Sequence, residues 1–416
     1  MNSALLIAFH YPPVQVSSGL QRTLANSIYL PDYGWASLVL SAHPRAYQNA
    51  SEGQLRDIPA DTVVERAFAL DTTRHLAIAG RYPGFLALPD PWVTWWIGGV
   101  FSGLRMIRKY RPKVLWSTYP IATAHLIGLV LHKITRLPWV ADFRDSMSEP
   151  DYPPQPGKRR IFQWIERKVI ANCDRAVFTT PGALRMYKAR YPQYGDDKWL
   201  MIPNGYNNEI FEEVEATRKT HTTTSGDGPI ILVHSGVIYP EERDPGPFFQ
   251  AISTLIQSGK IDSDRVKIVL RACGHVNLFR PMLETFGIDH IVKIEPSIPY
   301  RDALTEILES DGLLVLQAAN CNHQIPAKIY EYFRASKPIL ALTDARGDTA
   351  LALNDAGITS VVPLDDTDAI CSALMEFIVA IETGVAEAAS QKAVRESSRE
   401  YATETLAGVF DVLTKN

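Results

Sequence analysis

The sequence has few cysteines and no pair of them at a redox or metal-binding spacing. Four occur among 416 residues, and none belongs to a C-x-x-C motif. This scarcity excludes a disulfide framework, and the lack of a clustered His/Cys set excludes the usual zinc pattern. We therefore expect reduced thiols, a cytoplasmic protein and no structural metal.

The sequence also lacks a long apolar run and an excess of positive charge. Its most apolar stretches, 95–104 and 125–134, are about half of the ~20 residues that a membrane-spanning helix requires. The N-terminus leads into a predicted strand without a basic flank, so a secretory signal is not expected. The net charge of -4 argues against nucleic-acid binding. No G-x-G-x-x-G follows a predicted strand, which argues against a dinucleotide-dependent dehydrogenase.

Short apolar segments alternate with amphipathic ones along the chain. They are continuously apolar, which is typical of strands covered on both faces. Helical patterns, such as 159–173, 245–259 and 300–310, lie between them. The alternation predicts an α/β protein with doubly wound parallel sheets. The predicted strands are 5–9, 37–41, 114–118, 139–143 and 175–180 in a first series, and 230–236, 266–274, 291–296, 312–317, 338–343 and 360–364 in a second.

A polar segment rich in Thr, Ser and Gly, 218–229, separates the two series and is interpreted as a linker. We therefore predict two Rossmann-like domains that face a cleft. The first covers residues 1–205 and the second covers residues 206–394. The last segment, about 395–416, has helical spacing and is predicted to pack back on the first domain.

Ligands of such sheets bind beyond the C-terminal ends of the strands, so the loops at these ends are the candidate sites. The turn after the first strand contains His10, Ser17, Ser18 and Gly19. A glycine near a helix start lets backbone amides approach an anion. An equally good interpretation from this turn alone is a glycine-containing turn whose helix is capped by Ser18.

Two loops of the second series carry further candidates. Gly236 ends a strand, and Arg243 lies just before a predicted helix, where it can bind a diphosphate or remain a solvated surface arginine. Pro326 is predicted in the first turn of a later helix. Lys328 and Glu331 are three residues apart and project from one side of that helix, with the lysine suited to phosphate and the carboxylate to ribose hydroxyls.

Taken together, these motifs resemble the retaining, family-4-like glycosyltransferases of the GT-B fold. The resemblance rests on HYPP…SSGLQRTLANSIYLPDYGW (10–35), PWVADFRD (138–145), IPNGYNNEIF (202–211), HSGVIYPEERDP (234–245) and PAKIYEYFRASKPILAL (326–342). It implies a nucleotide-diphosphate sugar donor held mainly by the C-terminal domain. It also implies a saccharide or lipid-linked acceptor held mainly by the N-terminal domain, and surface-polysaccharide biosynthesis as the pathway.

The resemblance also assigns roles to single residues. Glu331 matches the glutamate that binds the nucleotide ribose, and Gly19, with Ser18, matches the glycine loop that faces the donor phosphates. Gly236 and Arg243 match the strand-end glycine and the basic residue for the diphosphate. Lys328 and the amide of Ile329 are expected near the phosphates or the transferred sugar. His10, Asp142, Arg144 and Asp145 are expected on the acceptor side.

Three positions depart from the family pattern. His323 stands where a first glutamate is usual, Val237 stands where an arginine often follows the strand-end glycine, and Arg144 occupies the place of a histidine. The expected chemistry is retention by front-face attack, with no metal or other cofactor. Arg243 and Lys328 would stabilise the leaving group, and Asp142 or Arg144 would act near the acceptor.

Other functions remain open from the sequence. A nucleotide-sugar epimerase shares the predicted architecture, and a non-catalytic nucleotide-sugar-binding protein is the alternative from another class. Aromatic and basic residues are mixed in 89–113 and again in 158–168. Such mixtures suit an anionic membrane surface, for a protein attached to the inner face of the cell membrane. The simpler interpretation is core tryptophans beside solvated basic helix ends.

Overall fold

The structure is a computed structural model that describes residues 1–14, 18–218 and 228–415. Ser17 and most of the predicted linker lie outside the described residues. The chain divides into two compact units. The first contains Met1–Asn204 together with Arg399–Asn416, and the second contains Gly205–Ser398.

The first unit is built on a parallel sheet with the order β3-β2-β1-β4-β5-β6-β7. Its strands are β1 (Asn2–Ile7), β2 (Trp35–Ala42), β3 (Val63–Ala67), β4 (Val114–Thr118), β5 (Trp139–Arg144), β6 (Arg175–Phe178) and β7 (Trp199–Met201). Its helices are α1 (Ser18–Tyr29), α2 (Thr72–His75), α3 (Trp95–Tyr110), α4 (Ala122–Thr135), α5 (Pro156–Asn172), α6 (Pro181–Arg190) and α15 (Arg399–Thr414).

The second unit has a parallel sheet with the order β10-β9-β8-β11-β12-β13. Its strands are β8 (Ile230–Ser235), β9 (Val266–Arg271), β10 (Val292–Glu295), β11 (Gly312–Leu316), β12 (Ile339–Leu342) and β13 (Val361–Val362). Its helices are α7 (Asn208–Arg218), α8 (Gly246–Gln257), α9 (Val276–Phe286), α10 (Tyr300–Glu309), α11 (Lys328–Ala335), α12 (Asp348–Asp355), α13 (Thr367–Glu382) and α14 (Gln391–Glu396).

Both faces of each sheet are buried, which explains the continuously apolar strands. Along β1, Leu5 and Ile7 belong to one core, whereas Ala4 and Leu6 belong to another on the opposite face. Successive side chains of a strand point to opposite faces, so a strand that is covered on both faces is apolar at successive positions. The second sheet likewise separates two cores. The predicted fold class, two Rossmann-like α/β domains with parallel sheets, is confirmed.

Helix α15 returns the chain to the first unit. Leu406, Ala407 and Phe410 are buried in the same core as Trp35, and Trp35 Nε1 donates to Asp411 Oδ1 at 3.0 Å. The Thr403 hydroxyl also lies 3.1 Å from Asn26 Oδ1 on α1. The final helix is therefore part of the first hydrophobic core.

Each sheet has one point where the strand order reverses. In the first sheet β1 lies between β2 and β4, and in the second β8 lies between β9 and β11. In doubly wound sheets, ligands bind beyond the C-terminal strand ends at such a reversal point. The turns after β1 and β8, which the sequence singles out, stand at these two points.

Candidate functional sites

The strand-end turn of the second unit needs a glycine for two reasons. Gly236 follows β8 with φ of +109°, a backbone conformation that side-chain-bearing residues rarely adopt. A Cβ atom added there would also lie 3.3 Å from Lys328 Nζ. The turn is anchored by the Tyr332 hydroxyl, which accepts the Ser235 N–H at 3.0 Å. The backbone of this turn and the Lys328 amine are thus brought together.

Lys328 begins α11, and its amine contacts a buried histidine at the end of β8. Lys328 Nζ lies 2.9 Å from His234 Nε2, and His234 Nδ1 donates to the Leu314 carbonyl at 3.0 Å. Burial lowers the pKa of His234 well below its usual value, and the Lys328 charge adds to this effect. Burial, with the nearby Arg243, also lowers the pKa of Lys328 to about 7.

Arg243 is a second cation near the same turn. Its Nη1 donates to the Val237 carbonyl at 2.6 Å, and its guanidinium lies 5.5 Å from the centre of the Tyr239 ring. Its Nε atom is buried, with no hydrogen-bond partner among the described residues. No carboxylate in the described ranges forms an ion pair with Arg243 or Lys328. Two basic side chains therefore lie near this turn without an ion-pair partner among the described residues.

Glu331 lies one turn further along α11 than Lys328. Its Oε1 accepts a hydrogen bond of 2.6 Å from the hydroxyl of Tyr300, the first residue of α10. The negative charge of Glu331 partly opposes the lowering of the Lys328 pKa, so the two side chains interact electrostatically. The predicted one-sided arrangement of these two residues therefore agrees with their position on the helix.

The start of α11 differs from the sequence prediction. The helix begins at Lys328, so Pro326 precedes the first turn instead of lying within it. Pro326 instead supplies the carbonyl that accepts the Ile329 N–H at 3.1 Å. Ile329 is fully buried, so its side chain serves the core and its amide closes this turn.

A buried glutamine fixes the loop that leads into α11. Gln317 follows β11, and its Nε2 donates to the carbonyls of Cys321 at 2.7 Å and Gln324 at 3.1 Å. Its Oε1 accepts a hydrogen bond of 2.5 Å from the Thr349 hydroxyl. Since both ends of the amide are satisfied inside the protein, the loop approaches α11 along a defined path.

The turn after β1 forms the equivalent feature of the first unit. A Cβ atom on Gly19 would lie 3.0 Å from Arg144 Nη1 and 3.0 Å from His10 Nδ1. Glycine therefore allows these two side chains to approach the start of α1. Burial and the Arg144 charge lower the pKa of His10 to about 4, so the imidazole is neutral at pH 7. The side chain of Ser18 lies outside the described part of the structure.

Arg144 ends β5 in an unusual conformation. Its φ is +58°, and the register between β5 and β6 shifts at this point. The Arg144 carbonyl accepts both the Thr179 N–H at 3.2 Å and the Thr179 hydroxyl at 2.9 Å. These bonds hold the strained residue, and its buried guanidinium points to the Tyr119 carbonyl at 3.4 Å. Bulges of this kind re-aim side chains next to sites.

Asp142 forms an ion pair with Arg22, a residue that the sequence prediction did not include. Its two oxygens accept from Arg22 Nε at 2.7 Å and Arg22 Nη2 at 3.4 Å. Arg22 also donates to the carbonyls of Ile202 at 3.0 Å and Pro203 at 2.8 Å. Asp142 is fully buried, whereas Asp145 beyond the strand is exposed. The pair thus joins α1 to the strand ends.

The predicted residues therefore fall into two groups. Gly236, Arg243, Lys328 and Glu331 gather at the reversal point of the second sheet. His10, Gly19 and Arg144 gather in the first unit, with Asp142 held separately by Arg22. The sequence prediction missed His234, Tyr300 and Arg22. A histidine directly before the strand-end Ser-Gly was the available signal for His234, but its partner is 94 residues away.

The sequence contains two Asp-x-Asp triplets, 262–264 and 366–368, and in both the first aspartate accepts hydrogen bonds from backbone N–H groups. Asp366 Oδ1 accepts the Ala369 N–H at 2.9 Å and caps α13. Asp262 Oδ1 accepts the N–H groups of Asp264 and Arg265. Across residues 1–14, 18–218 and 228–415, no group of three His, Cys, Asp or Glu side chains could hold a metal ion.

A protein-family model matches part of the sequence, and several solved structures are similar to the fold over the full length of the chain. Residues 34–205 match the model of the glycosyl transferase 4-like domain. No curated protein sequence matches the chain.

Among solved structures, a glycosyltransferase from Rickettsia africae is similar with a TM-score of 0.66 at 13% identity, covering 100% of this chain and 99% of that one. A sucrose-phosphate synthase from Thermosynechococcus elongatus gives 0.63 at 13% identity, with 100% of each chain covered. A UDP-GlcNAc 2-epimerase from Neisseria meningitidis gives 0.53 at 12% identity, again over 100% of each chain.

At these identities the solved structures show the fold alone, and the family match is limited to residues 34–205. The predicted similarity to family-4-like glycosyltransferases is confirmed at this level: residues 34–205 match the glycosyl transferase 4-like domain, and the whole chain has the two-domain fold of the GT-B glycosyltransferases.

Proposed function

We propose that this protein transfers a sugar from a nucleotide-diphosphate sugar to a saccharide or lipid-linked acceptor. The observation that carries the proposal is the pair of cations at the reversal point of the second sheet. Arg243 and Lys328 lie beside the Gly236 turn without a carboxylate partner among the described residues. A diphosphate supplies the charge and the acceptor oxygens that these groups need.

Glu331 completes the proposed donor site. A carboxylate can accept hydrogen bonds from two adjacent ribose hydroxyls, and it lies one helical turn from the proposed phosphate-binding lysine. The Tyr300 hydroxyl, at 2.6 Å, orients this carboxylate. These residues would therefore bind the ribose and the diphosphate of the donor. Contacts to the base and to the sugar would come from other residues and would determine which donor is accepted.

The proposed chemistry is electrostatic. When the bond to the anomeric carbon breaks, negative charge grows on the diphosphate leaving group, and preorganised cations stabilise it. Arg243 and Lys328 are the proposed groups, with no metal required. Retention by front-face attack follows from the family resemblance, and the anomeric configuration of a product disaccharide, read by nuclear magnetic resonance, would test it.

The proposed acceptor region lies in the first unit. The neutral His10 and the cationic Arg144 adjoin Gly19, and the exposed Asp145 follows β5. Both carboxylate oxygens of Asp142 accept hydrogen bonds from Arg22. We therefore assign Asp142 the role of positioning Arg22, and we assign proton transfer to side chains that can reach the acceptor hydroxyl. His10 and Asp145 are the candidates for that transfer.

Donor binding is tested by calorimetry with UDP-glucose, GDP-mannose and dTDP-glucose. Replacing Glu331 by Ala should weaken the binding of the accepted donor by about 10- to 100-fold, because hydrogen bonds to a charged group are lost. The matched control is Glu309→Ala, an exposed acid at the far end of α10. Unchanged affinity in Glu331→Ala would refute the role of this residue, and a failure of all three donors to bind would count against the function.

Turnover separates transfer from mere binding. Slow release of nucleoside diphosphate from the bound donor is expected of a transferase without its acceptor. Tight binding without any release would instead favour a non-catalytic nucleotide-sugar-binding protein. Conversion of the intact donor into a 2-epimer would favour an epimerase, although no residue pair in the described structure specifically supports that reaction.

We also propose that the first unit attaches to an anionic membrane surface, where a lipid-linked acceptor for surface polysaccharide would be found. Helix α3 presents Ile97, which is 58% exposed, and Phe101, which is 75% exposed. The Gly98 position allows the Phe68 backbone to lie against this helix. The exposed basic residues Arg108, Lys109, Arg111 and Lys113 follow at its C-terminal end. None of the described helices is long and apolar enough to cross a bilayer.

Neighbouring helices extend the same surface. Helix α4 packs between α3 and α5, and α5 exposes Trp164 together with Arg160, Arg167 and Lys168. Exposed aromatic and aliphatic side chains among basic ones are typical of a peripheral membrane surface. In contrast, Trp95 is fully buried, so the tryptophans of this region are partly a core feature.

Co-sedimentation with phosphatidylglycerol vesicles tests the attachment. Wild-type protein should bind at low salt and bind less at high salt, since screening weakens the attraction of basic residues. The double variant Ile97→Ser/Phe101→Ser should bind less, whereas Leu351→Ser/Val385→Ser, which changes exposed apolar residues of the second unit, should not. Equal binding by both variants, or no binding by wild type, would overturn the proposal.

A further inference from the structure

The buried His234 has no assigned role, yet it makes the only side-chain hydrogen bond that the described structure gives to Lys328. It stands at the C-terminal end of β8, directly before Ser235 and Gly236, and is 1% exposed. A buried imidazole in an apolar sheet needs a reason, because both of its nitrogens must be satisfied. Here Nδ1 has the Leu314 carbonyl as a partner, and Nε2 has the Lys328 amine.

The partners fix the proton positions on the ring. Nδ1 contacts the Leu314 carbonyl at 3.0 Å, and a carbonyl oxygen can only accept, so Nδ1 carries the proton. In the neutral ring Nε2 then has a free lone pair, which accepts from Lys328 Nζ at 2.9 Å. β11 therefore orients the histidine, and the histidine orients the lysine.

We propose that His234 is a positioning residue that holds the Lys328 amine at the Gly236 turn, in its charged form, ready for the donor diphosphate. This inference rests on the proposed function of the site. It assigns to the histidine a role in anion binding that it performs without touching the ligand. The geometry that supports it is the chain of contacts from Leu314 through His234 to Lys328, which ends 3.3 Å from the position of a Cβ on Gly236.

Three charged or titratable groups face the lysine amine. His234 on β8 accepts its hydrogen bond, Arg243 on the following loop repels its charge, and Glu331 on α11 stabilises its charge. Burial and Arg243 together bring the pKa of Lys328 down to about 7. A neutral hydrogen-bond acceptor favours the ammonium form. Removing that acceptor should therefore lower the pKa of Lys328 further.

The test compares two histidine replacements in the full chain. Asparagine can keep the bond to Leu314 but is too short to reach the lysine, whereas glutamine can place an oxygen near the position of Nε2. The control is His290→Asn, an exposed histidine that precedes β10 in the same unit. Circular dichroism confirms that each variant is folded before it is compared.

The first measurement needs no donor. Trace acetylation of Lys328, read by mass spectrometry across pH, gives the midpoint at which the amine becomes reactive. His234→Asn should lower this midpoint by about one pH unit, which corresponds to the loss of one hydrogen bond to a charged group. His234→Gln and His290→Asn should stay close to wild type.

The second measurement is the affinity for UDP-glucose and GDP-mannose, whose diphosphate diesters keep their charge between about pH 6 and pH 8.5. Because the charged amine binds the anion, wild-type affinity should fall as the pH rises above about 7. His234→Asn should lose about tenfold in affinity near pH 8 but only about twofold near pH 6, as a one-unit shift in pKa requires. A purely structural defect would lower both affinities alike.

The outcomes separate this inference from the proposed function. An unchanged Lys328 midpoint in His234→Asn overturns the positioning role, whatever the donor data show. A shifted midpoint that His234→Gln restores supports it. If neither nucleotide sugar binds to wild type, the proposed donor site is in doubt for these donors, while acetylation still decides what His234 does to Lys328. A pH-independent loss of affinity in His234→Asn also counts against the inference.

Discussion

At the scale of single residues, Gly19 shows how a missing side chain makes room for two neighbouring ones, His10 and Arg144. The sequence suggests that this glycine lets backbone amides approach a phosphate, which stays a prediction. The structure adds a second requirement, because Arg144 Nη1 and His10 Nδ1 would each lie 3.0 Å from a Cβ at this position. Gly19 lies within α1, which begins at Ser18, so its backbone conformation is open to any residue. The requirement for glycine therefore comes from the lack of space for a side chain.

We expect Gly19→Ala to fold but to lose about tenfold in kcat/KM for transfer, because displacing positioned groups by a fraction of an ångström slows a reaction steeply. Its control is Gly408→Ala on α15, where a Cβ would meet no atom within 4 Å. That change should stabilise the helix by about 0.5–1 kcal/mol. Transfer assays and thermal melting measure the two effects. Equal activity in both variants would contradict the spatial argument.

His125 is a buried histidine whose role is structural. It is fully buried on α4, its Nδ1 lies 2.8 Å from the Ser117 hydroxyl, and Trp139 Nε1 donates to the same hydroxyl at 2.9 Å. Burial lowers the pKa of His125 from 6.5 to about 3. The unfolded chain therefore binds a proton between these pH values that the folded chain does not.

This difference sets the sign of the pH dependence. Stability is full above the unfolded pKa of 6.5 and falls as the pH drops toward 3. Between pH 7 and pH 5, His125 alone should cost about 2 kcal/mol of unfolding free energy. His125→Asn should remove that share, whereas the exposed His43→Asn should not. Urea unfolding followed by tryptophan fluorescence measures it; an equal acid loss in both variants would contradict the assignment.

At the scale of elements, one buried carboxylate joins two helices and a loop. Glu166 on α5 is fully buried. Its oxygens accept hydrogen bonds from Tyr187 and Tyr191 at 2.7 Å each, from Arg190 at 2.7 Å and from Ser148 at 3.0 Å. The first three donors lie on or next to α6, and Ser148 lies in the loop after β5. The network therefore supports the segment that follows Arg144.

Replacing Glu166 by Gln should destabilise the first unit by about 3–5 kcal/mol, because the Arg190 charge loses its partner and an amide N–H₂ group faces donors. Glu404→Gln, an exposed position on α15, is the control and should change little. Urea unfolding with tryptophan fluorescence is the measurement. A loss below about 1 kcal/mol would mean that the network adds little to stability.

The same scale shows what the sequence could predict. Strands covered on both faces, such as β4 and β11, are continuous apolar runs and were found within a residue or two. The edge strand β3 contains Glu65 and Arg66, and β7 has only three residues, so neither shows the apolar signal. Both were missed because an edge strand is only partly covered and can keep polar side chains.

The candidate site divides in a similar way. Lys328 and Glu331 are neighbours along one helix, so their spacing predicts their proximity. The partners of these residues come from other elements. His234 reaches Lys328 across 94 residues and Tyr300 reaches Glu331 across 31. Contacts of this kind depend on the strand order of the sheet, which composition and periodicity do not determine.

At the scale of the whole molecule, the first unit is formed by two separate segments of the chain, whereas the second is formed by one. The first unit needs both ends of the chain, because α15 completes the core around Trp35. All eight tryptophans lie before residue 205, so tryptophan fluorescence reports on the first unit alone. The second unit is continuous from Gly205 to Ser398.

The ends of the second unit are joined to each other. The Tyr206 N–H donates to the Ser397 carbonyl at 3.1 Å, and Tyr206 pairs with Ser398 in an isolated bridge. Tyr206 and Phe211 lie in a core against which Ala393 and Val394 also pack. A segment with its own sheet, two covered faces and adjacent ends has the features of an independently folding domain.

We therefore expect a fragment of residues 205–398 to fold alone and to bind the accepted nucleotide sugar within about tenfold of the full chain. Gly236, Arg243, Lys328 and Glu331 all lie inside it, with His234 and Tyr300 as their supports. Circular dichroism and calorimetry measure the two properties, and the same fragment with Glu331→Ala is the control. A folded fragment without affinity would show that the second unit does not hold the donor by itself. An unfolded one would show that its two cores are insufficient without the rest of the chain.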